Sequence, residues 1–178
     1  MQAHFLPDEA RARFAQDRFA AVERIAKVAA DEGCGFVVVV GDVFDSNHVD
    51  RGVVAKAVDA LRAFTVPVYL LPGNHDPLDP SSVYFDDAWI AHRPAHVTLI
   101  DEVEVVSVAG SPGIEVVGDP WRTKSRLTDP TTACLQLGSP TGDALRVMVA
   151  HGVVDHLSPE DDGPSQIDSD ALRRGFSA

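Results

Sequence analysis

Apolar residues recur along this chain with two spacings, one typical of helices and one typical of buried strands. Between Pro7 and Gly35 they return at helical intervals, which predicts an amphipathic helix. Residues 36–40 are all apolar and mostly β-branched, which predicts a strand buried on both faces of a sheet. A helical stripe over residues 53–61 precedes a second apolar strand over residues 66–71. This order predicts a β-α-β unit whose strands pair in parallel.

Later apolar runs predict a second sheet. The runs at 97–100, 103–109 and 114–117 are short and interrupted by glycine and proline, which indicates a smaller, more antiparallel sheet. Residues 145–150 form a further apolar strand that leads directly into His151. Strands that alternate with helices place the chain in the α/β class.

Composition adds the broad class of the protein. The 178 residues suffice for one core, so residues 1–178 are predicted to form a single domain. With 45% hydrophobic residues and a mean hydropathy of −0.01, the chain is expected to fold as a soluble globule. Fifteen basic residues against 27 acidic ones give a net charge of −12, which argues against binding through a broad basic surface. A phosphate ligand would therefore need bound cations.

Cysteine usage and the apolar runs bear on the compartment. Cys34 and Cys134 are far apart in a chain without a recognisable secretory leader, so both are predicted to be reduced, buried thiols. The longest wholly apolar run, residues 36–40, is too short to cross a bilayer. We therefore expect a cytoplasmic protein that does not associate with a membrane.

Side chains able to bind metal follow three of the predicted strands. Asp42 follows the first strand, Asn74 the second and His151 the last. Ligand sites of open α/β sheets lie at the carboxyl ends of the strands. A carboxylate, an amide carbonyl and an imidazole suit Mn²⁺, Fe or Zn²⁺, and a two-metal site can activate water and bind phosphate oxygens. His75 would supply a proton to the leaving group, with the Asp76 carboxylate fixing the tautomer of its ring.

Three motifs in these loops resemble those of one family, the calcineurin-like metallophosphoesterases. Gly-Asp-Val-Phe-Asp at 41–45 is similar to its Gly-Asp-x-x-Asp motif, and Gly-Asn-His-Asp at 73–76 to its Gly-Asn-His-Asp/Glu motif. Ala-His-Gly at 150–152 is similar to its strand that ends in histidine. The resemblance covers about residues 5–178 and is strongest up to Leu78.

The family resemblance implies a fold and a role for each candidate residue. The fold would be a four-layer α-β-β-α sandwich. Asp42 would bridge two divalent metal ions, with Mn²⁺ the first expectation, and Asn74 and His151 would bind the second ion. His75 would be the catalytic histidine and Asp76 the residue that orients it.

Within that family the chain most resembles the DNA-repair exonuclease branch, the SbcCD-type nuclease subunits and their eukaryotic relatives. The similarity lies in Phe44, in Asp45, which would support the site, and in the loop at 46–48. It implies a phosphodiesterase that cleaves DNA by attack of a metal-activated hydroxide on phosphorus, with an ATPase partner subunit and a homodimer. A phosphomonoesterase or cyclic-nucleotide phosphodiesterase on the same scaffold is the alternative enzyme.

Two elements of the family pattern have no counterpart in the chain. The opening strand with Asp-x-His and the closing Gly-His-x-His, which supply further metal ligands, are both absent. The sequence therefore predicts an incomplete sandwich and a fragment of a longer protein. It also leaves open an inactive binding or scaffold module, because only Asp42, Asn74 and His151 remain as ligands.

Overall fold

The computed structural model describes residues 7–140, 142–155, 157 and 166–175. The helices in these ranges are α1 (Asp8–Asp31), α2 (Arg51–Leu61), α3 (Asp87–His92), α4 (Thr132–Leu135) and α5 (Ser169–Gly175), and a 3₁₀ turn covers Val83–Phe85. The strands are β1 (Val37–Val40), β2 (Val68–Leu71), β3 (Val97–Leu99), β4 (Val106–Ser107), β5 (Ile114–Gly118) and β6 (Leu145–Val149). The first two predicted helices and five of the six predicted strands are thus confirmed with small shifts at their ends, whereas the run at 103–109 forms only the two-residue strand β4.

The first sheet is parallel and has the strand order β1-β2-β3. Val37 pairs with Val68, and Val68 pairs in turn with Val97. The β-α-β unit is confirmed, but the prediction that the run at 97–100 belongs to the second sheet is wrong. The segment between β2 and β3 contains α3 and is long enough to be the crossover that parallel pairing requires.

The second sheet is mixed and has the strand order β4-β5-β6. Val106 pairs with Val116 in the antiparallel direction, whereas β5 and β6 pair in parallel from Ile114 with Leu145 to Gly118 with Val149. The predicted antiparallel character therefore applies only to the shorter pairing. The long connection from β5 to β6, which contains α4, permits the parallel arrangement.

Strand β1 is less buried than its apolar sequence predicts. Its first three residues are half-buried, and Val40 is 36% exposed, whereas all of β2 is buried. The reason is position, because among the described residues β1 has a sheet neighbour on one side only. A continuous apolar run in the sequence therefore does not distinguish a central strand from an edge strand.

Alternate side chains of β2 point into two different cores. Val68 and Leu70 belong to a core shared with α1, α2 and α3, and Tyr69 and Leu71 belong to a core shared with β4, β5 and β6. Period-two alternation along a strand produces this division. The structure is therefore an α/β sandwich in which the helices cover one face of the first sheet and the second sheet covers the other. Strands β1 and β2 belong to the middle layer.

The two cysteines are free and differ in exposure. Cys134 is buried in α4, and burial raises the pKa of its thiol to about 11. Cys34 is exposed, which contradicts the prediction that both are buried, because it follows the last turn of α1 and the turn residue Gly33. Within the part of the chain that the structure describes, no helix combines the length and apolar composition needed to span a membrane.

Replacing Gly118 with alanine tests the packing of the two sheets. A Cβ at this position would lie 2.8 Å from Leu71 Cδ1, 2.9 Å from Val149 Cγ2 and 3.0 Å from the Val149 carbonyl oxygen, so side chains of both sheets or the neighbouring strand would have to shift. We expect a loss of about 1–3 kcal/mol in the free energy of unfolding, measured by urea denaturation. Gly52→Ala is the control, because nothing lies within 4 Å of its added Cβ in α2. Equal stability of the two variants would contradict this packing.

Candidate metal centre

The carboxyl ends of β1 and β2 lie side by side because these strands are parallel neighbours. Asp42 follows β1, Asn74 follows β2, and His151 comes from the second sheet at the end of β6. The His151 Nε2 lies 2.9 Å from Asn74 Oδ1 and 3.4 Å from Asp42 Oδ1. The structure therefore brings together the three side chains that the sequence predicts as metal ligands.

Two glycines permit this close approach. A Cβ at Gly73 would clash with the Asp42 carboxylate and would lie 2.6 Å from the Asp42 backbone nitrogen. A Cβ at Gly41, whose φ is +78°, would clash with the imidazole of His151. Asp42 itself has a φ of +55°, a left-handed conformation that aspartate adopts more readily than most residues. The glycines of the two motifs are thus required by contact between the loops.

The hydrogen bonds of His151 define the electrostatics of the centre. Its Nδ1 lies 3.0 Å from the Val40 carbonyl oxygen, which can only accept, so Nδ1 carries a proton. In the neutral ring Nε2 then presents a lone pair to the oxygens of Asn74 and Asp42. Three electron-pair donors that face one another are stabilised by a positive charge between them, either a proton on Nε2 or a metal ion. The donor set therefore fits a divalent cation of the Mn²⁺, Fe or Zn²⁺ type.

His75 lies next to this cluster and is exposed to solvent. Its backbone N–H donates to Asp42 Oδ1 at 3.1 Å, and its Nδ1 donates to the Asp45 carbonyl oxygen at 3.1 Å. The Asp45 carboxylate pairs with Arg18 at 3.1 Å. Asp45 therefore supports the site through its backbone, and the ring of His75 is left with Nε2 to direct toward a bound molecule.

Asp76 does not orient His75 in the way that their adjacency predicts. Its carboxylate is fully buried and accepts hydrogen bonds from the backbone N–H groups of Asp42 at 3.2 Å, Gly73 at 2.8 Å and Phe44 at 3.1 Å. Tyr84 Oη donates the fourth bond, at 2.6 Å. Neighbouring side chains point in opposite directions here, His75 toward solvent and Asp76 into the protein. The structure thus corrects the predicted contact: Asp76 joins the two loops and leaves His75 to Asp45.

Burial of Tyr84 keeps its hydroxyl a donor. Desolvation raises the pKa of Tyr84 well above its ordinary value, and the negative charge of Asp76 raises the pKa further. The phenol therefore stays protonated at neutral pH and donates to the Asp76 carboxylate.

A family model of the calcineurin-like phosphoesterases matches residues 4–167, which is most of the chain. The chain belongs to the calcineurin-like phosphoesterase family. It is therefore a member of a family of hydrolases that cleave phosphoester bonds and that typically bind two divalent metal ions. The α/β sandwich agrees with this membership.

The candidate ligands in this phosphoesterase are a carboxylate, an imidazole and an amide. Asp42 and His151 are joined by Asn74, an amide, and the described residues contain no group of three His, Cys, Asp or Glu side chains arranged to hold a metal. The described part of the centre thus provides three converging side chains that are predicted to bind metal. The structure supports their placement, whereas the metal-binding role of each remains a prediction.

Trp121 also belongs to the surroundings of this centre, and the sequence reasoning missed it. Its Nε1 donates to the His151 carbonyl oxygen at 2.7 Å, and the two rings lie edge to face with centroids 6.0 Å apart. Its backbone bonds to Pro72 and Leu78, on either side of the second motif. The sequence feature that could have identified Trp121 is its position just after β5, the strand that pairs with β6.

Gly73→Ala tests the contact between the two ligand loops of this phosphoesterase, residues 41–45 after β1 and residues 73–76 after β2. The backbone of Gly73 is outside the left-handed region, so alanine is conformationally allowed there, but the added Cβ must displace both the Asp42 carboxylate and the backbone of residues 41 and 42. We expect Mn²⁺ binding to weaken at least about 10-fold, the scale on which disturbing groups around metal ligands acts. Isothermal titration with Mn²⁺ measures the effect, with Gly52→Ala as the control. An unchanged affinity would show that Asp42 does not bind the metal in this position.

Proposed function

We propose that this phosphoesterase is a two-metal phosphodiesterase that acts as a DNA exonuclease in DNA repair. The observation that supports the proposal is the convergence of Asp42, Asn74 and His151 beside an exposed histidine, His75. Mn²⁺ is the proposed metal, and Fe or Zn²⁺ would suit the same donors.

The metal ions would be held by Asp42, Asn74 and His151. When bound, divalent ions at such a site polarise phosphoryl oxygens and lower the pKa of water. The Val40 carbonyl fixes the tautomer of His151 that presents Nε2 to the ion. The absence of a Cβ at Gly41 and Gly73 lets these side chains approach closely.

His75 is proposed as the acid that protonates the leaving oxygen. The Asp45 carbonyl accepts from Nδ1, which sets the plane of the ring and leaves Nε2–H of the protonated ring to face the substrate. The hydrogen bond from the His75 backbone to Asp42 fixes the distance between this acid and the ligands. Exposure of the ring agrees with direct contact to a substrate.

DNA as the substrate rests on the resemblance of Phe44, Asp45 and the loop at 46–48 to the DNA-repair exonuclease branch. The loop that follows β5 also carries basic residues. Arg122, Lys124 and Arg126 lie in five consecutive residues of a chain whose net charge is −12. This loop begins at Trp121, which contacts His151, and Arg126 lies over the Trp121 ring at 5.5 Å. Arg122 is paired with Glu102 and Arg126 with Asp119, so the loop adds little net positive charge, and a polyanion would be attracted mainly by bound metal ions. The expected ATPase partner and homodimer belong to the same proposal.

A panel of substrates tests the proposal. With Mn²⁺ present, we expect the chain to release nucleotides from single- or double-stranded DNA and to hydrolyse bis(p-nitrophenyl) phosphate, and we expect Asp42→Ala to lose both activities together with metal uptake. Asp143→Ala, which removes an exposed carboxylate before β6, is the control. Hydrolysis of p-nitrophenyl phosphate or a cyclic nucleotide alone would favour the alternative enzymes. Metal uptake with no hydrolysis would favour a binding or scaffold module.

His75→Ala separates proton transfer from metal binding. Removing the ring should slow turnover by about 10²–10⁴-fold, the usual contribution of a general acid, while Mn²⁺ affinity stays close to that of the parent. His92→Ala is the matched control, because His92 is an exposed histidine at the end of α3. The measurement is kcat at saturating Mn²⁺ alongside a Mn²⁺ titration. Unchanged turnover would remove His75 from the mechanism.

A further inference from the structure

Tyr84 contacts the ligand loops through one buried carboxylate. Its Oη donates to Asp76 Oδ2 at 2.6 Å, and both side chains are almost completely buried, at 2% and 0% exposure. The residue lies in the 3₁₀ turn Val83–Phe85, so it comes from outside both ligand loops. No step of the proposed mechanism uses it.

The other bonds of Asp76 lead directly to the ligands. Oδ1 accepts the backbone N–H of Asp42, a proposed ligand, and of Gly73, which precedes Asn74. Oδ2, the oxygen that Tyr84 contacts, also accepts the backbone N–H of Phe44. A change at Oδ2 therefore reaches the backbone of both loops through one rigid group.

The ring of Tyr84 is fixed independently of this hydrogen bond. It packs edge to face against Trp89, with centroids 5.1 Å apart, and against Phe44 at 5.9 Å. Phe44 and Trp89 also pack against each other at 6.1 Å. These three residues form an aromatic cluster. Because its contacts fix the Tyr84 ring, they also fix the position of the Tyr84 hydroxyl.

We propose that Tyr84 is a positioning residue of the metal centre, which acts through Asp76 to hold Asp42 in its metal-binding conformation. The inference rests on the proposed function. Asp42 has a φ of +55° and therefore depends on its neighbours to keep the left-handed backbone. The hydroxyl supplies the side-chain donor that Asp76 needs as a buried carboxylate. Without it, the carboxylate is expected to shift or take up water, and the loop that carries Asp42 shifts with it.

The two tyrosines of the chain provide a matched experiment. Tyr84→Phe removes one buried hydroxyl and keeps the ring in the aromatic cluster. Tyr69→Phe removes another buried hydroxyl, that of a 3% exposed residue, which bonds to the backbones of Ser107 and Ala109 in the second sheet region. Within the described part of the chain, the hydrogen bonds of the Tyr69 hydroxyl lead to the second sheet region rather than to either ligand loop, so this variant controls for the loss of stability.

The deciding measurement is Mn²⁺ affinity, followed by the electron paramagnetic resonance signal of free Mn²⁺. We expect Tyr84→Phe to weaken binding by about 10-fold, as loss of a group supporting metal ligands does, and Tyr69→Phe to change it less than about twofold. The Mn²⁺ concentration for half-maximal hydrolysis of bis(p-nitrophenyl) phosphate should rise in parallel. Equal Mn²⁺ affinities for parent and Tyr84→Phe would overturn the inference, whatever the loss of stability.

The inference and the proposed function fail in different ways. A parent chain that binds Mn²⁺ but hydrolyses no phosphodiester would refute the function and leave the affinity comparison intact. A parent chain that binds no Mn²⁺ would refute the metal centre and the inference together. Hydrolysis by Tyr84→Phe with the metal requirement of the parent would refute the inference alone.

A second measurement applies should Tyr84→Phe fail to fold. In the Tyr69→Phe chain labelled with 3-fluorotyrosine, Tyr84 gives the single tyrosine signal in the fluorine spectrum. Zn²⁺, which is diamagnetic, is expected to shift this signal, and Asp42→Ala in the same background is expected to abolish the shift. A signal that stays in place while calorimetry shows Zn²⁺ bound would overturn the coupling between Tyr84 and the ligands.

Discussion

The hydrogen bonds to the Asp76 carboxylate determine the geometry of the whole centre. A buried charge is strongly unfavourable by itself, and here four donors compensate it. Three of the donors are backbone N–H groups, and they come from both ligand loops. The Asp76 carboxylate therefore holds the backbones of the two ligand loops together. This contact determines where the side chains of Asp42 and Asn74 lie.

Such a support is needed because the ligands do not stabilise their own arrangement. Asp42, Asn74 and His151 present electron pairs to one another, and without a cation or proton between them this arrangement is repulsive. The free energy that holds them together must come from elsewhere in the fold. It comes from the hydrogen bonds to Asp76 and from the parallel pairing of β1 with β2. Packing between the two sheets, where Leu71 of the first lies close to Gly118 of the second, also contributes. The site is therefore preorganised for a cation.

The positions of the ligands could be predicted from sequence because they depend on a local rule. Each candidate ligand follows an apolar strand, and the parallel neighbours β1 and β2 end at the same edge of their sheet, which places Asp42 beside Asn74. His151 belongs to the second sheet and joins them through the packing of the two sheets. The same rule could not show that β3 (Val97–Leu99) joins the first sheet, because a short apolar run carries no information on its partner. Nor could it show that β1 is half-buried, since burial depends on how many neighbours a strand has.

Side-chain direction is the second property that the sequence did not supply. Asp76 follows His75 directly, and adjacency alone favoured a contact between their side chains. In the structure the two point to opposite sides of the loop, and the partners of Asp76 lie 3, 8, 32 and 34 residues away along the chain. Trp121 likewise reaches His151 from 30 residues away. Contacts of this kind arise from tertiary packing, and a single sequence has no periodicity that reports them.

The net negative charge of the chain affects how it could bind the proposed substrate. The chain carries a net charge of −12, and two of the cations near Trp121 are already paired, Arg122 with Glu102 and Arg126 with Asp119. These pairs cancel most of the attraction that the loop could exert on a phosphate. The positive charge that attracts a polyanion must therefore come mainly from the metal ions. In this phosphoesterase, metal binding would thus precede substrate binding as well as hydrolysis, because the protein alone repels what the loaded centre attracts.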